Sequence, residues 1–257
     1  MTIPEEVKFL FDIELGLGAW AWGDKVVWNY GRTHTDEDIK NAFDISIESG
    51  VAFLDTAEVY GQGRSETLIG GFLKNLDKPV LVATKFMPFP WRVRKSSLIK
   101  ALRRSLARMG LPSVDLYQIH WPTPLISVDR MMDGMAECVK SGLTRTVGVS
   151  NFNQTQTLTA YSALARQNIP LASNQVHYSL LNRKVEKNGL LVRCKELGIR
   201  LIAYSPLEKG ILTGKYHADS RPPGTRSGLY ANLLPKIEPL LKLMTIIGQE
   251  HGGKSNA

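Results

Sequence analysis

Residues 79–120 read PVLVATKFMPFPWRVRKSSLIKALRRSLARMGLPSVDLYQIH, and this stretch decides the fold. PVLVATK (79–85) is a short apolar, β-branched run bounded by proline, as expected of a buried strand. Residues 96–109 carry Leu98, Leu102, Leu106 and Met109 at helical spacing, so they form an amphipathic helix closed by Gly110. VDLYQIH (114–120) is a second strand of the same kind. Strand, helix and strand within about forty residues make one βαβ unit, and both strands are apolar throughout. A sheet covered on both faces requires that pattern.

The same unit repeats outward in both directions. ELGLG (14–18), VAFLD (51–55), TRTVGVS (144–150), ASNQV (172–176) and IRLIAYS (199–205) are the remaining strands. Helices are expected after Thr35-Asp36-Glu37-Asp38 and over 65–75, 127–140, 153–166 and 185–197, with a last one from about Leu233. A Gly/Pro-rich loop is expected over 206–232. The competing open, doubly wound sheet calls for a GxGxxG turn after an early strand. Gly16, Gly18 and Gly23 lack that spacing. The expectation is therefore one α/β domain over residues 1–257: a (β/α)8 TIM barrel with seven of its eight units and no last βα unit, incomplete at the C-terminus.

Composition excludes several classes. The net charge of +8 is spread along the chain, and one cluster (Arg92, Arg94, Lys95, Lys100, Arg103, Arg104, Arg108) reads as a solvated helix face. No nucleic-acid signature or zinc spacing accompanies it, and no apolar run is long enough for a membrane span. His34, His177, His217 and His251 lack ligand spacing and are expected on surfaces or loops. Cys138 and Cys194 suggest a reducing compartment, and the N-terminus does not read as a leader, so the expected location is cytoplasmic.

The strand ends carry the functional signal. Asp55, Lys85, His120, Asn151, Gln175 and Tyr204-Ser205 each end or follow an apolar run. Any one of them is explained by partial exposure at a strand terminus; six from six strands point to a shared mouth. Tyr60 follows Asp55 by five residues, close enough for the loop to bring its phenol over that mouth. A phenol is a weak acid at neutral pH, and an ammonium beside it makes it a stronger one. Lys85 supplies the ammonium, Asp55 orients it, and His120 offers a hydrogen bond to a substrate oxygen. Such a set protonates an oxyanion as it forms. With no metal site in the sequence, a nicotinamide hydride is the simplest electron-pair donor. The tryptophans Trp20, Trp22, Trp28, Trp91 and Trp121 lie after strands or in expected mouth loops, where core packing and pocket wall are both open readings.

In these residues, within GLGAWAWG (16–23), FLDTAEVYG (53–61), VATK (82–85), LYQIHWP (116–122), VGVSN (147–151), NQVHYSLL (174–181) and YSPLEKGILTGKY (204–216), the chain resembles the aldo-keto reductases. The similarity runs from about residue 14 to 250 and is nearest the branch with potassium-channel β subunits and plant and bacterial oxidoreductases. It implies NADPH-dependent reduction of aldehydes or ketones by direct hydride transfer, with Tyr60 as general acid. It also implies that NADP(H) is held by Asp55, Ser150, Asn151, Gln175, Tyr204, Ser205, Leu207, Gly210 and Lys215. Trp20 and Trp121 match pocket walls, with Trp22 and Phe86 expected beside them; Arg226 is either a phosphate cover or an ordinary solvated arginine. The implied partner is a small carbonyl compound, with no nucleic acid or membrane, in a monomer or weak homo-oligomer. The alternative is an NADPH-binding redox-sensing or regulatory subunit with little turnover.

Overall fold

The computed structural model describes residues 3–253. Seven parallel strands, β1 (Leu17–Gly18), β2 (Phe53–Asp55), β3 (Leu81–Phe86), β4 (Val114–Ile119), β5 (Thr144–Ser150), β6 (Leu171–His177) and β7 (Arg200–Tyr204), form one sheet in sequence order. Helices α1 (Asp36–Glu48), α2 (Arg64–Leu73), α3 (Lys95–Met109), α4 (Val128–Lys140) and α5 (Gln154–Ala165) fill the expected connections. The expected helix at 185–197 is two pieces, α6 (Lys184–Lys187) and α7 (Leu190–Glu196). Gly189 separates them at φ 77°, a left-handed conformation that no helix continues through. The expected loop at 206–232 contains a 3-10 turn at Glu208–Thr213 and α8 (Thr225–Tyr230), and α9 (Leu234–Glu250) follows.

Local chemistry fixes the helix ends. Thr35 and Asp38 form a reciprocal capping box on α1, and Asn153 and Gln156 do so on α5. Outward strand residues such as Tyr117, Ile119, Val147 and Val149 pack with α3–α5 residues Leu98, Leu102, Met135 and Leu164 in the main core.

The sheet curls into a nearly closed barrel. Its ends approach each other closely enough that Arg200 Nη2 donates to the carbonyl of Ile13 at 2.7 Å. Among the described residues, β1 and β7 do not pair with each other. A 3-10 turn at Glu5–Leu10 plugs the end where the strands begin, burying Val7 and Leu10 against Phe53, Ala83, Leu116 and Ala172. The opposite end, where the strands finish, stays open.

Candidate active site

Strand alternation selects what faces the barrel axis. On β2, β3 and β4 the inward series is Phe53–Asp55, Leu81–Ala83–Lys85 and Leu116–Gln118, apolar toward the plug and polar toward the mouth. The polar layer is hydrogen-bonded throughout. Lys85 Nζ donates to Asp55 Oδ2 at 2.5 Å, to the Thr56 carbonyl at 2.8 Å and to the Tyr60 hydroxyl at 3.4 Å. Gln175 Nε2 donates to Asp55 Oδ1 at 2.9 Å, and Gln118 Nε2 reaches the same oxygen at 3.4 Å. Ser173 Oγ closes the layer on Gln118 Oε1 at 3.3 Å. Gly148 makes room for it, since a Cβ there would sit 2.2 Å from Ser173 Oγ.

The turn carrying Tyr60 is bent by left-handed residues: Gly61 at φ 54°, Gln62 at φ 57° and Gly63 at φ 93°. A side chain at Gly61 would meet the backbone of Gly23 at 2.8 Å, so the close approach demands glycine. The Tyr60 ring then packs edge-on to His120, 5.6 Å between centroids, and stacks with Trp20 at 6.3 Å. Asn151 also lies in the left-handed region, at φ 63°. Its amide donates to the His120 carbonyl at 3.1 Å and to Ser150 Oγ at 2.9 Å, while its Oδ1 accepts from the Tyr204 hydroxyl at 3.0 Å.

Electrostatics follow from burial. Burial opposes the Lys85 ammonium, but Asp55 and then Tyr60 outweigh it and hold Lys85 above the ordinary lysine range. Burial raises the Tyr60 phenol above its usual value; Lys85 pulls it down and Asp55 pushes it up. The expected depression by Lys85 is present, then, but desolvation exceeds it. His120 is lowered from 6.5 to about 3 by burial first and Lys85 second. It is a neutral imidazole at physiological pH, and among the described residues its buried Nδ1 has no partner.

Much of this set borders one cavity of about 1540 Å³. Asp55, Tyr60, His120, Ser150, Asn151, Gln175, Tyr204, Ser205, Leu207, Gly210 and Lys215 line it, as do Trp20 and Trp121. Lys85 lies just beneath, fully buried, and reaches the cavity only through Asp55 and Tyr60. Two expected pocket residues are corrected. Trp22 is buried in the core against Phe43 and Phe72, because the Ala19–Trp22 turn sends it behind the sheet. Phe86 points to the outer face, because it adjoins inward Lys85, and the Arg92 guanidinium covers its ring at 4.4 Å.

Other wall residues went unrecognised in the sequence. His177, expected on a surface or loop, stacks on Tyr204 at 5.3 Å; Nε2 lies 2.8 Å from Glu208 Oε1, off the line of a hydrogen bond. Its signal was parity, two residues beyond Gln175 on one strand. Met87, Val59 and Lys209 also line the cavity. Arg226 is nine-tenths buried rather than solvated, with its guanidinium 4.5 Å over the Trp28 ring. Among the described residues no group of three or more His, Cys, Asp or Glu is placed to hold a metal, and no helix is long and apolar enough to cross a membrane.

Comparisons with known proteins identify the family. The model of the Aldo/keto reductase family matches residues 14–256. Pyridoxal reductase, chloroplastic, of Arabidopsis thaliana is 40% identical over 252 residues, covering 93% of this chain and 68% of that protein. A thermostable aldo-keto reductase solved with the inhibitor epalrestat superposes with a TM-score of 0.73 at 32% identity, covering 92% of this chain and 75% of that one. An aldo-keto reductase from Klebsiella pneumoniae solved with NADPH gives 0.68 at 26% identity, covering 91% and 72%. A seven-stranded parallel barrel with Asp55, Tyr60, Lys85 and His120 gathered at its mouth, matched over nearly all its length, places this chain in the aldo/keto reductase family.

Proposed function

We propose that the chain reduces aldehydes or ketones to alcohols using NADPH, with Tyr60 as the general acid. The observation that carries this reading is the contact chain Asp55–Lys85–Tyr60 at the cavity floor, facing the neutral His120 ring. The donor set suits the cofactor. Ser150, Asn151 and Gln175 offer hydroxyl and carboxamide groups, and Tyr204 a ring for stacking. Lys209, Lys215 and Arg226 offer cations in the same wall, none of them ion-paired among the described residues. Bound NADPH would supply the hydride.

The protein's own residues handle the proton. As negative charge develops on the carbonyl oxygen, the Tyr60 hydroxyl releases its proton to it. The Lys85 ammonium then stabilises the phenolate from 3.4 Å. Asp55 keeps that ammonium charged and aimed. His120, neutral because burial and Lys85 disfavour its cation, donates one ring N–H to the same oxygen without competing as an acid. The walls are aromatic: Trp20, Trp28 and Trp121 with Val59 and Met87. They favour a flat apolar carbonyl substrate. Pyridoxal, the compound for which the plant relative is named, is an aromatic aldehyde.

The test is NADPH oxidation with a panel of aromatic and aliphatic aldehydes. Turnover is expected with aromatic members first, and Tyr60→Phe should lower it by roughly a hundredfold or more with NADPH affinity retained. Comparable turnover in Tyr60→Phe would remove the acid assignment. Tight NADPH binding with no turnover on any carbonyl would favour a redox-sensing role.

A further inference from the structure

The Tyr60–Lys85 separation is a contact between a turn and a strand end, because Tyr60 follows β2 and Lys85 sits near the end of β3. Regular pairing of these strands ends at Asp55↔Ala83. Two further backbone bonds extend it, Thr56 N–H to the Ala83 carbonyl at 2.9 Å and Glu58 N–H to the Lys85 carbonyl at 3.4 Å. Beyond Glu58, among the described residues, the turn 59–63 has no hydrogen bond to β3 except the phenol–ammonium contact itself.

The Glu58 side chain makes the tie that the backbone stops making. Its Oε1 accepts from the Met87 N–H at 2.8 Å and from Arg92 Nη1 at 2.6 Å, and its Oε2 accepts from Arg92 Nη2 at 3.0 Å. Arg92 Nη1 also donates to the Met87 carbonyl at 3.0 Å. The guanidinium lies over the Phe86 ring, 4.4 Å from its centroid. Both side chains are about nine-tenths buried. The fork-to-fork geometry and burial set this pair apart from the exposed Lys8–Glu5 or Arg166–Asp129 pairs. Neither Glu58 nor Arg92 borders the cavity.

We infer that Glu58 and Arg92 are positioning residues for the reaction: the pair staples the Tyr60 turn to the Lys85–Met87 segment and so sets the approach of phenol to ammonium. The inference rests on the reading of Tyr60 as the acid. Glu58 lies two residues before Tyr60, and Arg92 grips the backbone two residues after Lys85. Three successive left-handed residues follow Tyr60, and the turn they form makes no backbone hydrogen bond to β3 among the described residues. A displacement of about 1 Å in such a site costs up to a hundredfold in rate.

The experiment compares Glu58→Gln, Arg92→Met, Arg92→Lys and the double variant Glu58→Gln/Arg92→Met in the full chain. The first readout is the near-UV tyrosinate titration, with Tyr60→Phe subtracted so that Tyr60 alone is followed. The charged or titrating groups around Tyr60 are Lys85 from β3, Asp55 from β2, His120 after β4 and Tyr204 from β7. If the pair acts by position, loosening it weakens the Lys85 contact. The Tyr60 titration then moves to higher pH in both Glu58→Gln and Arg92→Met, lies between for Arg92→Lys, and moves no further in the double variant. If the two charges acted directly, removing the anion and removing the cation would move it in opposite directions.

The second readout is kcat for reduction, expected to fall roughly tenfold or more with KM within about twofold. A Tyr60 titration unmoved in every variant, or moved in opposite directions by the two single ones, overturns the inference. Arg92→Lys keeps the test alive should Glu58→Gln not fold. Because the titration needs no turnover, an inactive parent chain would count against the proposed reduction and leave the staple to be judged by this readout.

Discussion

The barrel interior divides into two halves built on the same strands. Toward the plug, Phe53, Leu81, Ala83, Leu116 and Ile202 meet Val7 and Leu10 in an apolar cluster. Two residues further along three of those strands come Asp55, Lys85 and Gln118, tied to Gln175 and Ser173 by hydrogen bonds. The lower half is stabilised by removing apolar surface from water, which is nondirectional. The upper half has every charge compensated, and its order depends on direction and distance. One half therefore tolerates volume-conserving change, and the other tolerates almost none.

The sharpest way to break this contrast is a matched pair of substitutions. Lys85→Met retains an unbranched chain but removes the ammonium. It should lower turnover by roughly a hundredfold or more, and a normal rate with a normal pH profile would end the electrostatic account of Tyr60. Leu116→Ala in the lower half should instead cost about 2–5 kcal/mol of stability, read by denaturant unfolding, with turnover of the folded fraction near normal.

A smaller effect should come from Gly148→Ala, which places a methyl group 2.2 Å from Ser173 Oγ where the halves join. Overpacking of this kind costs about 1–3 kcal/mol, and displacement of Gln118 should also lower turnover. An unchanged melt and rate would mean that Ser173 moves aside freely.

A further effect is in pH dependence. The folded His120 titrates near 3 and an unfolded histidine near 6.5. Between those values the unfolded chain binds the proton and the folded chain does not. Stability is therefore full above about 6.5 and declines as pH falls toward 3. His120→Asn should flatten this acid limb in unfolding curves recorded from pH 7 to 4. An identical slope in both proteins would show that other groups dominate it.

Much of this division was legible in the chain. The alternation of apolar runs and amphipathic segments placed all seven strands, and the polar residues ending those runs were the ones found at the mouth. Phe86 was misplaced although its neighbour held the answer, since an inward Lys85 sends the next strand residue outward. Trp22 had no such guide, because turn residues follow no period. The split at Gly189 and the short helix in 206–232 depend on single left-handed residues and on contacts such as Arg226 over Trp28, made across about two hundred positions.

Sequence alone determined the parallel-strand architecture, the list of groups able to do acid–base chemistry, and the family resemblance, because periodicity and residue type are local properties. Only the tertiary structure decided that burial keeps His120 neutral and raises Tyr60, that Arg226 is buried against Trp28, and that Glu58 and Arg92 brace the loop beside Lys85. Desolvation and ångström-scale distance arise from residues far apart in the chain, so no local pattern carries them.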